Sequence, residues 1–218
     1  MPLPLLIAGV IGYFLGALPF GYLVARSKGV NIFEAGSKSP GATNVRRVLG
    51  SGPGNLVFVL DALKGALAAG WPLLWRMIKL RNHADEPLYQ IDPLPLMVAG
   101  LVGALLGHSF SCFTRFKGGK GVATGAGGFL VLFPVGTLIA AAVWALTAAI
   151  TRYVSLASMV AAIALTLAAW LLHARPLIFG ICVVVMIFIV VRHRANISRL
   201  VAGTEAKIGA KRTTSPTS

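Results

Sequence analysis

Three stretches of this chain gather the residue types that bind phosphate. Residues 34–55 read EAGSKSPGATNVRRVLGSGPGN, residues 107–128 read GHSFSCFTRFKGGKGVATGAGG, and residues 192–209 read RHRANISRLVAGTEAKIG. In the first, hydroxyls (Ser37, Thr43), the Asn44 amide and small residues surround Gly41, with Arg46 and Arg47 following. Main-chain N–H groups of such a loop form concave anion sites, and an arginine fork adds bidentate geometry to charge. In the second, Gly118, Gly119 and Gly121 bracket Lys120 just before an apolar run, with Lys117 close by. That is the pattern of a phosphate held at a helix N-terminus, where unpaired N–H groups and the dipole favour an anion. Lys120 is followed by Gly121 rather than Ser or Thr, so a Walker A loop and nucleotide hydrolysis are not implied.

In the third stretch His193, Asn196 and Arg199 lie three apart, so a continuing helix places them on one face. The segment RYVSLAS, residues 152–158, adds Ser155 and Ser158, which a helix start can also use as caps. His108 is a lone histidine and reads as a hydrogen-bonded structural residue as readily as a base. Asp61 and Lys64 stand one turn apart inside an apolar run; they can neutralise each other, and an ionisable pair at such a place is a functional candidate. Cys112 and Cys182 form no paired motif and read as small buried hydrophobes, not as a disulfide or zinc framework. The acidic residues are too few and too scattered to hold a metal, and no Ser-His-Asp or Cys-His constellation can be assembled.

The elements that must position these residues are set by composition. Of 218 residues, 56% are apolar and 12% charged, and the mean hydropathy is +0.81. Half the usual charge cannot cover a water-facing surface, which excludes a cytosolic globular protein. A formal charge of +14 suggests nucleic acid at first sight, but the basic residues sit between long apolar runs, as in membrane proteins. The expected fold is an all-α integral membrane protein with seven transmembrane helices, over 3–25, 54–78, 93–112, 121–133, 134–150, 154–172 and 176–191. Pro134 splits the low-charge stretch 121–151, so the fourth segment is short or re-entrant. Fifteen Lys and Arg fall on one side of this arrangement and four on the other, with Lys64 inside a span. The positive-inside rule then puts the amino terminus outside and the carboxyl terminus in the cytoplasm. The start lacks a positively charged n-region and is expected to stay as the first span. Residues 1–205 read as one transmembrane domain and 206–218 as a disordered basic tail.

Taken in order, GSKSPGATNVRR, GHSFSCFTRFKGGKGVATG and RHRANISRLVAGTE resemble the three cytoplasmic motifs of the acyl-phosphate-dependent glycerol-3-phosphate acyltransferases, the PlsY family. The resemblance covers residues 4–205, with the motifs in the family's order and between the matching spans. It implies a multi-pass enzyme of the bacterial inner membrane with its active site facing the cytoplasm. Such an enzyme moves an acyl group from acyl phosphate to the 1-hydroxyl of sn-glycerol 3-phosphate, giving lysophosphatidic acid and phosphate, the first acylation of phospholipid synthesis. It implies no cofactor and no metal, a donor chain lying between spans, and functional coupling to the enzyme that makes acyl phosphate.

Carried over residue by residue, the resemblance makes Ser37, Lys120, His193 and Asn196 catalytic. It makes Gly41, Thr43, Asn44, Arg47, His108, Lys117, Gly118, Gly119, Gly121 and Glu205 substrate- and phosphate-binding, with either Ser155 or Ser158 as a site serine. Lys64, the embedded cation, joins that binding group. Arg46 stands where an apolar residue is usual, and an insert at 83–92 lies on the outer side. The rival reading is a transporter or channel for an organic phosphate, since interrupted helices often line transport sites. Against it, the cations cluster on one face and no inverted repeat is evident. A scaffold with an RNA-binding tail at 207–212 lacks aromatic interleaving, so no nucleic-acid partner is expected.

Overall fold

The structure, a computed structural model, describes residues 2–82 and 92–209. Among the described residues the long elements are ten α-helices: α1 (Pro2–Ala17), α2 (Phe20–Arg26), α3 (Ala42–Leu49), α4 (Ser51–Asn82), α5 (Leu94–Ser109), α6 (Val122–Leu132), α7 (Pro134–Thr151), α8 (Val154–Leu171), α9 (Pro176–Arg192) and α10 (Arg194–Val201). Five helical segments are long and apolar enough to cross a bilayer, six if α9 and α10 count as one bent span. Their outward faces carry exposed Leu63, Leu138, Leu167 and Ile150, an apolar surface suited to lipid.

Three helix breaks differ in instructive ways. The expected split before Pro134 is present: α6 has 11 residues, about 16 Å of helix against a hydrocarbon core of about 30 Å. At the break Phe133 is the N-cap of α7, and its carbonyl accepts from the Thr137 amide at 3.0 Å and the Thr137 hydroxyl at 2.9 Å. The first span, expected as one helix over 3–25, is instead interrupted between α1 and α2, because Pro19 has no N–H to continue the ladder. The Ala17 and Leu18 carbonyls are taken by Ser111 Oγ at 2.6 Å and Lys64 Nζ at 2.9 Å. The chain after the seventh span does not run straight on as one helix: α9 and α10 meet at 57° at His193. There both the His193 amide (3.0 Å) and its ring Nδ1 (2.8 Å) use the Ile189 carbonyl. Pro72, by contrast, sits inside α4, which runs unbroken to Asn82.

Small residues set the closest packing. A Cβ on Gly12 would lie 2.1 Å from the Gly100 carbonyl oxygen, and one on Gly127 only 1.8 Å from that of Ala62. Backbones in contact through such stripes replace the hydrophobic drive that lipid removes. They bring α1 onto α5 and α4 onto α6, so Asp61 and Lys64 of α4 lie beneath the α5–α6 loop. Between α5, α6, α8 and α9 sits a core of Leu101, Phe129, Leu165, Cys182 and Ile189. The chain after α10 is pinned to the α7–α8 turn, where Arg152 Nε and Nη2 donate to the Ile208 carbonyl and the Ile208 amide donates back to Arg152. Residues 83–91 of the insert expected at 83–92, and residues 210–218 of the tail expected at 206–218, lie outside the described residues. Asp92, at the edge of that insert, pairs with Arg175 at the start of α9.

Candidate active site

The third sequence motif folds back on the second through a chain of polar contacts. Lys120 Nζ donates to Asn196 Oδ1 at 2.5 Å, and Asn196 Nδ2 donates to Glu205 Oε1 at 2.6 Å. Ser155 Oγ donates to the same carboxylate oxygen at 2.8 Å, and Arg199 Nε to Glu205 Oε2 at 2.7 Å. The five residues come from four elements: Lys120 from the α5–α6 loop, Asn196 and Arg199 from α10, Ser155 from the start of α8 and Glu205 from the strap after α10. Burial lowers the Lys120 ammonium to about 8, with Glu205 opposing the fall and Arg199, Arg47 and Arg192 deepening it. Burial raises the Glu205 carboxyl, but Asn196, Ser155 and Arg199 more than offset that and hold it below its ordinary value.

His193 is buried beside Lys120. Its Nδ1 bonds the Ile189 carbonyl, which can only accept, so Nδ1 carries the proton and Nε2 is left as an acceptor. Burial and the Lys120 charge lower this imidazole to about 4. Arg192, the preceding residue, reaches the glycine loop: its Nη2 donates to the Gly119 carbonyl at 2.7 Å, and its guanidinium lies over the Phe110 ring.

The other side of that loop rests on α5. The Gly119 amide donates to the His108 carbonyl at 3.1 Å, and a Cβ on Gly119 would lie 2.2 Å from His108 Nε2. His108 Nδ1 is 3.7 Å from Asp61 Oδ1, which also sits 2.8 Å from Lys64 Nζ. All three are buried. With Leu18, Pro40, Lys117 and Gly118 they line a small, half-open cleft where the first and second motifs meet.

In the first motif Asn44 is buried, and all its polar atoms hold the loop. Oδ1 accepts from the Ser37 amide at 2.8 Å, while Nδ2 donates to the Ala35 and Ser39 carbonyls at 3.0 and 2.9 Å. Gly41, extended at φ −72° and ψ 155°, is the N-cap of α3. Ser37, Thr43, Arg47 and Lys117 are exposed around this rim.

An apolar groove opens between α6, α7, α8 and α9, with Phe58 of α4 at its edge. The groove, open to the outside along one side, spans about 790 Å³ with the solvent space at its mouth, and is lined by Val122, Phe129, Ala140, Ala161, Leu165 and Met186 among others. Ser158 lines it rather than the polar cluster, accepting from Trp144 Nε1 at 3.2 Å. The two serines left open by the sequence therefore separate: Ser155 meets Glu205, and Ser158 borders the groove. Among the described residues no three His, Cys, Asp or Glu side chains gather where a metal could sit.

Of the residues singled out from sequence, Lys120, Asn196, Ser155, Glu205 and His193 form one cluster, and Lys64, His108, Lys117, Gly118 and Gly119 a second, joined at Gly119. Ser37, Gly41, Thr43, Asn44 and Arg47 form the facing rim. Sequence reasoning passed over Arg192 as a site residue because a basic residue at a span end is already expected there; its place beside His193 was the available signal.

The comparisons with known proteins agree in one direction. A family model described as glycerol-3-phosphate acyltransferase matches residues 6–203. The glycerol-3-phosphate acyltransferase of Fusobacterium nucleatum subsp. nucleatum is 44% identical over 199 residues, 91% of this chain and 95% of that protein. That of Mesorhizobium japonicum is 42% identical over 208 residues, covering 95% and 97%. Among solved structures, the glycerol 3-phosphate form of PlsY (YgiH), an integral membrane glycerol 3-phosphate acyltransferase, superposes with a TM-score of 0.80 at 35% identity, covering 94% of this chain and 96% of that one. Its lysophosphatidic acid form gives 0.78, covering 94% and 95%. With its apolar helices and a match over nearly its whole length, this chain is a multi-pass membrane protein and belongs to the glycerol-3-phosphate acyltransferase family.

Proposed function

We propose that this protein transfers an acyl group from acyl phosphate to the 1-hydroxyl of sn-glycerol 3-phosphate, giving lysophosphatidic acid and inorganic phosphate for phospholipid synthesis. The observation that carries this reading is the Lys120–Asn196–Glu205 chain, with the Arg47 charge facing it, at the head of an apolar groove. A cationic, glycine-lined pocket suits two phosphates, and the groove suits a fatty chain. The related PlsY has been solved in glycerol 3-phosphate and lysophosphatidic acid forms, one acceptor and one product of this reaction.

An acyl phosphate is a mixed anhydride, so no covalent enzyme intermediate is needed. The C1 hydroxyl oxygen attacks the acyl carbonyl, a new ester C–O bond forms, and the bond from the acyl carbon to the phosphate oxygen breaks. Lys120, with the arginines around it, stabilises charge on the departing phosphate, and the loop amides orient both anions. The hydroxyl proton passes to a phosphate oxygen. An imidazole lowered to about 4 is a weak base at neutral pH, so His193 Nε2 accepts the hydroxyl hydrogen bond and orients it without keeping the proton.

We further infer seven crossings, counting α1 with α2 as one and α6 as a short one, with the amino terminus outside. The fifteen-to-four division of basic residues supports that orientation and an active site facing the cytoplasm of a bacterial inner membrane. The donor reaches the groove from the membrane, so coupling to the enzyme that makes acyl phosphate belongs to the same reading. The test is phosphate release by purified protein in lipid, given palmitoyl phosphate with and without glycerol 3-phosphate. Release that needs both substrates and collapses in Lys120→Ala is expected; a folded sample that never consumes acyl phosphate would overturn the proposal.

A further inference from the structure

Asp61 lies inside α4, with no contact to the polar cluster around Glu205, yet it is buried next to two other ionisable groups. A buried carboxylate in a membrane protein is costly unless it has partners. One partner is explained by the fold. Lys64 caps the Leu18 carbonyl freed at the break between α1 and α2, and Asp61 neutralises it. The other partner, His108, is not needed for that task.

His108 touches the phosphate loop in three ways. Its carbonyl accepts the Gly119 N–H, its ring Nε2 fills the space where a Gly119 Cβ would project, and Gly118 lies against its backbone, a Cβ there falling 2.1 Å from the His108 oxygen. The opposite side of Gly119 is held by Arg192. Gly119 thus lies between the His108 carbonyl and ring on α5 and the Arg192 side chain on α9, and the next side chain is Lys120. Two of these contacts are to the His108 main chain; the third, at Gly119, depends on where the imidazole sits.

We propose that Asp61 is a positioning residue for the phosphate loop: by fixing the His108 ring from below, it sets the path of Gly118 and Gly119 and so the aim of Lys120. This rests on the reading of the loop as a phosphate site. It separates two roles in one buried trio, with Lys64 serving the helix break and His108 serving the loop. Lys64, expected from sequence to bind substrate, acts through the fold.

Replacing Asp61 alone would leave Lys64 as a bare buried charge, so the informative change removes both. Asp61→Leu/Lys64→Met leaves no buried charge but takes away the carboxylate oxygen 3.7 Å from His108 Nδ1; Asp61→Asn/Lys64→Gln keeps an oxygen at that place and a donor for Leu18. The probe is inorganic phosphate, with affinity measured calorimetrically on full-length protein in lipid nanodiscs, alongside KM and kcat for glycerol 3-phosphate. The Leu/Met pair is expected to weaken phosphate and raise KM by at least about tenfold with kcat falling less, a displacement effect that can reach about 100-fold when a reacting group is moved by 1 Å. The Asn/Gln pair is expected to restore both to within about threefold of wild type. In a His108→Ala background the Leu/Met change is expected to have no further effect on phosphate affinity. Should the Leu/Met pair not fold, Asp61→Ala/Lys64→Gln gives the same comparison. Unchanged phosphate affinity in the variant lacking that oxygen, or an equal further loss without His108, overturns the proposal. Wild-type protein that binds phosphate but never turns over acyl phosphate would sink the catalytic reading alone, and the affinity comparison would still decide this one. Wild-type protein that binds no phosphate would sink both.

Discussion

Lys120 and Asn196, 76 residues apart in sequence, are joined by a 2.5 Å hydrogen bond from the ammonium to the amide oxygen. Through it the glycine loop at the start of α6 and the helix after the α9 break become one surface. The amide passes the connection on to Glu205, which also takes Ser155 and Arg199. A lysine held this way has limited rotamer freedom before any substrate arrives, which is how a flexible four-carbon stem becomes a preorganised charge. Glu205, in the strap after α10, anchors the chain of contacts, and Lys120 is the end that the proposed reading sets against substrate phosphate.

The first prediction concerns pH. Burial lowers Lys120 to about 8, so its charge is present below that pH and is lost as pH rises through it. On the proposed reading kcat/KM for glycerol 3-phosphate therefore falls above about pH 8. Bound phosphates favour the charged form, so kcat itself holds to higher pH. Arginine stays protonated throughout, so Lys120→Arg is expected to lose rate but flatten that limb. A limb that persists unchanged in Lys120→Arg would assign the proton to another group.

Glu205 is predicted to matter for stability as well as rate. Glu205→Ala leaves the Asn196 amide, the Ser155 hydroxyl and Arg199 without their acceptor, at about 1–3 kcal/mol for each buried donor stranded. Thermal unfolding in detergent is expected about 5 °C lower or more, with Glu205→Gln, which keeps one acceptor oxygen, in between. Its carboxyl is held below its ordinary 4.5, so this stabilisation is complete at neutral pH and disappears as pH falls below that value. An Ala variant that melts with wild type would show the strap to be decorative.

How much of this was legible in the sequence varies by residue. A lysine bracketed by glycines before an apolar run has a composition of its own, so Lys120, Gly118 and Gly119 stand out as a candidate phosphate loop from residue types alone, and Pro134 announces the short α6. Ser155 and Ser158 do not separate, because both lie at one helix start and only the strap decides which meets Glu205. Asn44 reads as a ligand, yet all its polar atoms hold the loop between Ala35 and Ser39, a role that depends on where the chain turns back. Arg192 is hidden by the many cations a membrane protein carries for orientation. Of Pro19 and Pro72, each inside an expected span, only Pro19 misled: it breaks the span over 3–25, whereas Pro72 sits inside the helix expected over 54–78. The local rule is the same for both, and the outcome depends on whether neighbours such as Lys64 and Ser111 collect the freed carbonyls.

His193 separates two routes for the hydroxyl proton. Its Nδ1–H is fixed on Ile189 and its basicity is low, about 4, which suits an acceptor that orients the alcohol while phosphate takes the proton. His193→Gln retains a hydrogen-bonding side chain and is expected to keep kcat within about tenfold of wild type. A loss beyond about 1,000-fold, the scale of a missing general base, would make the imidazole the proton acceptor.

The groove yields the last prediction. Its lining is contributed by α6, α7, α8 and α9, and Ala161 on α8 is a small, half-buried residue facing it. A phenyl ring there would take the volume of several methylenes from the bound chain while leaving the Lys120 cluster untouched. Each buried CH₂ is worth about 0.8 kcal/mol, so excluding two of them costs about 1.6 kcal/mol, or about fifteenfold in kcat/KM. Ala161→Phe is therefore expected to turn the enzyme from palmitoyl phosphate toward decanoyl phosphate by at least about that ratio, with KM for glycerol 3-phosphate unchanged. The comparison needs both donors below their micelle concentrations in the same lipid, so that the ratio reflects the groove and not delivery. If both donors lose rate equally, the chain does not lie along α8, and the groove between α6 and α9 serves packing against lipid instead.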